Sequence, residues 1–251
     1  MVFTIIASSP ATAEDLYTMA ISLEKSKPHK SRSLFEQAAK MGHMKACTAL
    51  GISYVMGCDS LEVDYDQGVY WLDKAAKRGH VQALYTLGMC YHRGMGVNQD
   101  EEKAVRLYIL AAKSGDVAAA CALGICYEEG VGVVHNRSQA IKWLGRAAFG
   151  GSAEAQYTFA LFYIQGKGVR QNDGIAKSLM ERAAAQQHED AIRELVYLKA
   201  FGDWDESIKV PYDTDTDTCS RYGNYCNCGR NHAFGCERDA GYGYDNDEDY
   251  W

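Results

Sequence analysis

The chain has 251 residues, 47% of them hydrophobic, a composition that suits a folded protein and argues against a wholly disordered one. The net charge of −7 is unevenly spread: from Asp203 onward there are 12 acidic and 4 basic residues, and the remainder is close to neutral. No concentrated basic face for a phosphate backbone is seen, and no apolar run approaches the roughly 20 residues that span a bilayer.

In chain order, Met1–Ala13 holds a short apolar piece, Val2–Ala7, with no basic residues before it. It reads as an N-terminal extension and not as a signal peptide. Residues 1–42 form this extension plus a degenerate capping unit, of which only a second helix is recognisable, around Leu34-Phe-Glu-Gln-Ala-Ala-Lys-Met-Gly42. A repeat then dominates. Ala46-Cys-Thr-Ala-Leu-Gly-Ile-Ser-Tyr54 is followed 37 residues later by Ala83-Leu-Tyr-Thr-Leu-Gly-Met-Cys-Tyr91. Steps of 36 lead on to Ala119-Ala-Cys-Ala-Leu-Gly-Ile-Cys-Tyr127 and Ala155-Gln-Tyr-Thr-Phe-Ala-Leu-Phe-Tyr163. A period of this size marks a stack of identical supersecondary units.

Each unit predicts two helices. In the first, Ala83, Leu87 and Tyr91 recur at helical spacing, and Gly88 offers a place for a neighbouring helix to come close. Gly94-Met-Gly96-Val97, with counterparts at Gly130–Val133 and Gly166–Val169, supplies the stop and turn. In the preceding unit this loop is replaced by Gly57-Cys-Asp-Ser-Leu-Glu-Val63, one residue longer. Asp64, Asp100, Asn136 and Asn172 are placed to cap the second helix. Its apolar stripe is expected over Trp71–Gly79, Tyr108–Gly115 and Trp143–Gly150, with the closing glycine as helix stop. Ala191-Ile-Arg-Glu-Leu-Val-Tyr-Leu-Lys-Ala-Phe-Gly202 reads as one more first-type helix, a C-terminal cap to an array over residues 43–202.

The pattern A-x-x-x-L-G-x-x-Y-x-x-G-x-G-V, then A-x-x-W/Y-x-x-x-A-A-x-x-G, resembles the Sel-1-like repeats, relatives of the tetratricopeptide repeats, over roughly Lys45 to Gln187. The resemblance implies an all-α fold: an α/α solenoid, a right-handed superhelix of about five 36-residue helix-turn-helix repeats plus terminal caps. It also implies a protein-protein interaction scaffold or adaptor that takes a protein or peptide in its concave groove. By analogy with tetratricopeptide geometry, the groove residues are Tyr85, Met89, His92 and Arg93, then Cys121, Ile125, Glu128 and Glu129, then Tyr157, Leu161, Ile164 and Gln165. The unit before them contributes Thr48, Ile52, Val55 and Met56. This surface is apolar and aromatic with opposite charges at its middle, as partner sites are.

One subfamily of Sel-1-like proteins, secreted and cysteine-rich, has β-lactamase-type activity and carries a disulfide in each repeat. Here its paired cysteines are replaced, as in Lys74-Ala-Ala76 and Leu110-Ala-Ala112, so Cys47, Cys58, Cys90, Cys121 and Cys126 are expected as reduced thiols in a cytoplasmic setting. No G-x-S-x-G, H-E-x-x-H or P-loop motif occurs, and the repeated G-x-G lacks the preceding strand of a nucleotide site. His43 and His80 start equivalent helices and read as surface residues. The chain is therefore expected to be no enzyme and to need no cofactor.

Residues 203–251 form an acidic tail rich in Cys, Tyr and Gly, without helical period. Cys219, Cys226, Cys228, His232 and Cys236 are enough soft ligands for one zinc ion, which would make the protein a zinc-binding adaptor. The segment is similar to the later half of a MYND-type finger, though the first paired cysteines are missing and Tyr222 stands at a ligand position. A disordered tail with incidental cysteines is the other reading. A linear partner-binding segment, Asp245-Asn-Asp-Glu-Asp-Tyr-Trp251, and a flap over the groove are two more.

Overall fold

The computed structural model describes residues 12–57 and 62–201, with side chains as far as Tyr197. Among the described residues there are eleven helices and no strand: α1 (Ala13–Leu23), α2 (Pro28–Lys40), α3 (Met44–Met56), α4 (Tyr65–Ala76), α5 (Val81–Arg93), α6 (Glu101–Lys113), α7 (Val117–Glu129), α8 (Arg137–Phe149), α9 (Ala153–Gln165), α10 (Asp173–Ala185) and α11 (Glu189–Phe201). Every helix packs on the next in sequence, and α3 also touches α5. The odd helices are the first members of the hairpins and the even ones the second, which makes an all-α solenoid.

Local chemistry explains the boundaries. Asp64, Asp100, Asn136 and Asn172 cap the even helices as expected, accepting from the amides of Gln67, Lys103, Gln139 and Ile175 at 2.8–3.1 Å. The amides of these four capping residues donate to the carbonyls of Tyr54, Tyr91, Tyr127 and Tyr163, which tie each turn to the end of the odd helix before it. The odd helices α5, α7 and α9 stop at left-handed Gly94, Gly130 and Gly166. The N-terminal unit is more complete than its sequence suggests. α1 is a full odd helix, opened by a reciprocal capping box between Thr12 and Asp15.

The core is a ladder of small and branched residues repeated by the period. Ala46, Ala83, Ala119, Ala155 and Ala191 have no exposed surface, and Leu50, Leu87, Leu123 and Phe159 fill the layer beside them. Gly88 does what its position suggested. A Cβ there would lie 2.6 Å from the Tyr108 ring, so glycine lets α5 and α6 close up. Leu72 and Leu144 face Gly51 and Gly124 in the same way. Among the even helices α6 is therefore shifted from the expected alignment. Tyr108 corresponds to Leu72 and Leu144, and Leu107, not Tyr108, corresponds to Trp71 and Trp143. The stop of α8 moves likewise: Gly150 is right-handed and Gly151, at φ 96°, takes the left-handed turn matched by Gly79 and Gly115.

Candidate partner-binding face

Counting each odd helix from its first residue, the proposed groove residues occupy the fifth, ninth, twelfth and thirteenth places. The fifth place lies at the junction with the following repeat. Tyr157 stacks on His188, with centroids 4.9 Å apart, and Tyr17 faces His43 in the same way at 4.6 Å. Thr48 hydrogen-bonds His80 at 3.0 Å. Tyr85 leans on Tyr108 and feels the Asp116 carboxylate, and burial followed by that charge raises its phenol above the usual range. Cys121 is only 5% exposed and lies within the influence of the Ser152 side chain. Each of these partners, His43, His80, Asp116, Ser152 and His188, is the residue that starts the next odd helix. Both expected surface histidines are half-buried here. His43 accepts from the Ala46 amide through Nδ1 and meets Glu14 through Nε2 at 2.7 Å.

The ninth place is different. Ile52, Met89, Ile125 and Leu161 stand on four successive odd helices, each resting on the core and each still half open to solvent. At the thirteenth place Arg93, Glu129 and Gln165 are exposed, as is Met56, at 59%. The twelfth place is mixed. Val55 is buried and Ile164 half-buried, while the Nδ1 atom of His92 is buried without a partner. Glu128 is held by Arg137 at 3.4 Å and lies 3.8 Å from His135, so its charge is matched from the start of α8 and not from Arg93.

A cleft of about 600 Å³ opens on the same face between α1, α2, α3 and α5. Arg32 reaches it from α2, donating to the carbonyls of Ser53 (2.6 Å) and Glu62 (3.2 Å), with its guanidinium 4.4 Å from the Tyr54 ring centre. Sequence reasoning missed Arg32, because nothing in the repeat pattern marks a second-type helix as reaching the face of the first-type helices. Phe35, Lys45, Ile52, Met56 and His80 complete the cleft.

The four free cysteines among the described residues, Cys47, Cys90, Cys121 and Cys126, are all buried. Burial pushes the thiols of Cys90, Cys121 and Cys126 up to about 11, away from the thiolate that nucleophilic chemistry needs. No group of three or more metal-ligating side chains occurs among the described residues. The candidate ligands Cys219, Cys226, Cys228, His232 and Cys236 lie outside them. No described helix is long and apolar enough to cross a membrane.

The Sel1 repeat pattern matches residues 11–43, 45–80, 81–116, 117–151 and 153–188. No curated protein matches the chain. Among solved structures, a Sel1 repeat protein from Oxalobacter formigenes is 31% identical with a TM-score of 0.69, over 75% of this chain and 56% of its own. A protective antigen of uropathogenic Escherichia coli with an SLR fold is 29% identical at 0.68, over 76% of this chain and 42% of its own. An immunity protein from Pseudomonas aeruginosa is 25% identical at 0.52, over 73% and 68%. The chain thus spans about half the length of the first two. Five matched repeats and a helical solenoid with the same period establish that the chain belongs to the Sel1 repeat family, whose arrays generally act as protein-interaction scaffolds.

Proposed function

We propose that the array is a non-catalytic scaffold that holds a protein or peptide along the face of its odd helices. The observation that carries this reading is the ladder of Ile52, Met89, Ile125 and Leu161, half-open apolar side chains at the same place in four consecutive repeats. Apolar surface repeated in register offers a partner one anchoring site per repeat, and anchors in partly enclosed positions dominate binding energy. The thirteenth-place side chains form a rim beside the ladder. Tyr85, Tyr157 and Cys121 act mainly as junction residues in this reading, with the ladder making the principal contact.

Selection of peptides from a random display library against the full chain tests it. Selected peptides should lose at least about 10-fold in affinity against the Met89→Glu, Ile125→Glu double variant, because a charge replaces apolar contact at two anchors. Circular dichroism should show unchanged helicity, and Leu161→Glu serves as a second variant if the double one unfolds. Failure to select any peptide, or binding indifferent to both variants, would overturn the reading. The β-lactamase-type alternative makes the opposite demand. A chromogenic β-lactam should show no turnover with the full chain, and saturable hydrolysis abolished by a point substitution would sink the scaffold reading.

A further inference from the structure

The charges beside the ladder are sorted along the array. Arg32 and Lys45 line the cleft and Arg93 ends α5, none of them in an ion pair among the described residues, and against them the cleft sets one acidic side chain, Glu24, so its balance is positive. Arg32 is half-buried with its Nε atom shut off from solvent and unpartnered, yet its guanidinium is fixed by two carbonyls and a ring. A half-buried guanidinium held in place without an anion attracts an arriving carboxylate more than a mobile, open lysine does, through its charge and not through the enclosed Nε. Lys45 adds a second positive charge at the same cleft, and its field helps burial to hold His80 below its ordinary pKa. The next odd helices reverse the sign. α7 ends in Glu128 and Glu129 and α9 carries Glu154, with no lysine or arginine on either helix. Glu129 makes no ion pair among the described residues, while Glu154 meets only His188.

We propose that this face takes an extended peptide of segregated charge, with an acidic, apolar end at the cleft beside Arg32 and Lys45 and a basic end over Glu129 and Glu154. This rests on the scaffold reading and adds the chemistry of the partner. The spacing suits an extended chain. Packed helices lie about 8–10 Å apart, and an extended chain rises about 3.3 Å per residue. Leucine at every third place of such a peptide recurs about every 10 Å, on the scale of helix spacing. A uniformly acidic peptide is repelled by α7 and α9, and a uniformly basic one by the cleft, so charge order selects the partner.

The test uses fluorescent peptides and the full chain. Each peptide has about 13 residues with leucine at every third place, enough to cross four rungs. Two carry Asp and Glu in one half and Lys in the other, in either order. A third has the same composition with the charges alternating. One segregated peptide should bind at least about 10-fold tighter than the alternating one, an advantage that shrinks in high salt. The exposed substitutions Lys45→Glu and Glu129→Lys should each remove about 5-fold from that peptide and change the alternating one less. Equal affinities, or an advantage untouched by both substitutions, would overturn the proposal. Library peptides that bind the ladder without segregated charge would overturn it too while leaving the scaffold reading intact. A library that yields no ladder-dependent peptide would remove both.

Discussion

His80 and Gly88 show how single side chains set the junctions between repeats. Thr48 Oγ1 lies 3.2 Å from the Met44 carbonyl and 3.0 Å from His80 Nδ1. Both bonds are satisfied when the hydroxyl donates to the carbonyl and Nδ1–H donates to the hydroxyl, a pattern that the neutral and the protonated ring share, so the neutral assignment rests on the surroundings of the ring. Burial first, and Lys45 second, lower the His80 pKa below its ordinary 6.5. The unfolded chain therefore binds the proton more readily than the folded one. Stability contributed by neutral His80 is present above the unfolded pKa and falls as pH drops below about 6.5, with the loss complete once pH passes the lowered folded value. Thermal melts should show a fall in midpoint between pH 7 and pH 5 that is smaller for His80→Gln, and equal slopes would contradict the neutral assignment. Gly88 makes a steric prediction. Gly88→Ala puts a methyl 2.6 Å from the Tyr108 ring and should cost about 1–3 kcal/mol in denaturant unfolding. In the fifth repeat the same places hold Ala160 and Met180, both fully buried. Adding Tyr108→Met to Gly88→Ala should therefore recover much of the loss, because a flexible thioether yields where a ring cannot.

At the scale of the helix, the parts that were legible from sequence were those written within one repeat. The four Asp/Asn caps, the glycine stops after α5, α7 and α9, and the close approach at Gly88 all follow from local spacing, and the structure has each of them. The pairing of Tyr17 with His43 or Tyr157 with His188 was not legible, because the two rings belong to different repeats and neither residue is fixed by the consensus. The register of α6 was misjudged for a related reason. Aromatic size suggested that Tyr108 matches Trp71, whereas what an even helix sets against the glycine of its partner is decided by packing, and leucine, tyrosine and methionine all serve there. Tyr157 follows as a junction residue: Tyr157→Ala should lower the stability of the C-terminal end by about 1–3 kcal/mol through lost ring contact and burial. Chemical denaturation checks this, and a variant with unchanged stability would return Tyr157 to the partner-binding set.

Across residues 12–201 the contacts run from each helix to the next, so stability should be a sum of neighbouring interfaces and not the property of one central core. The ends are the weak places. α11 lacks a described even helix after it, and Ile192 and Val196, at places that earlier repeats bury, are exposed. At the other end Met19 occupies the place of Leu50 and Leu87 and is half exposed, with no described repeat before it to cover it. Amide hydrogen exchange should therefore be slowest in α5–α8 and fastest in α1 and α11. Leu123, fully buried in α7, tests how far a defect travels. Leu123→Ala should cost about 2–5 kcal/mol locally, through lost contact and the cavity left behind. If coupling is limited to neighbours, protection falls most in α6–α9 and little in α2 and α3. A uniform fall from α1 to α11 would mean that the array unfolds as one cooperative body. A peptide anchored on Ile52, Met89, Ile125 and Leu161 at once bridges four of these interfaces, so it should raise protection in all four repeats together, including those whose own contacts are weakest.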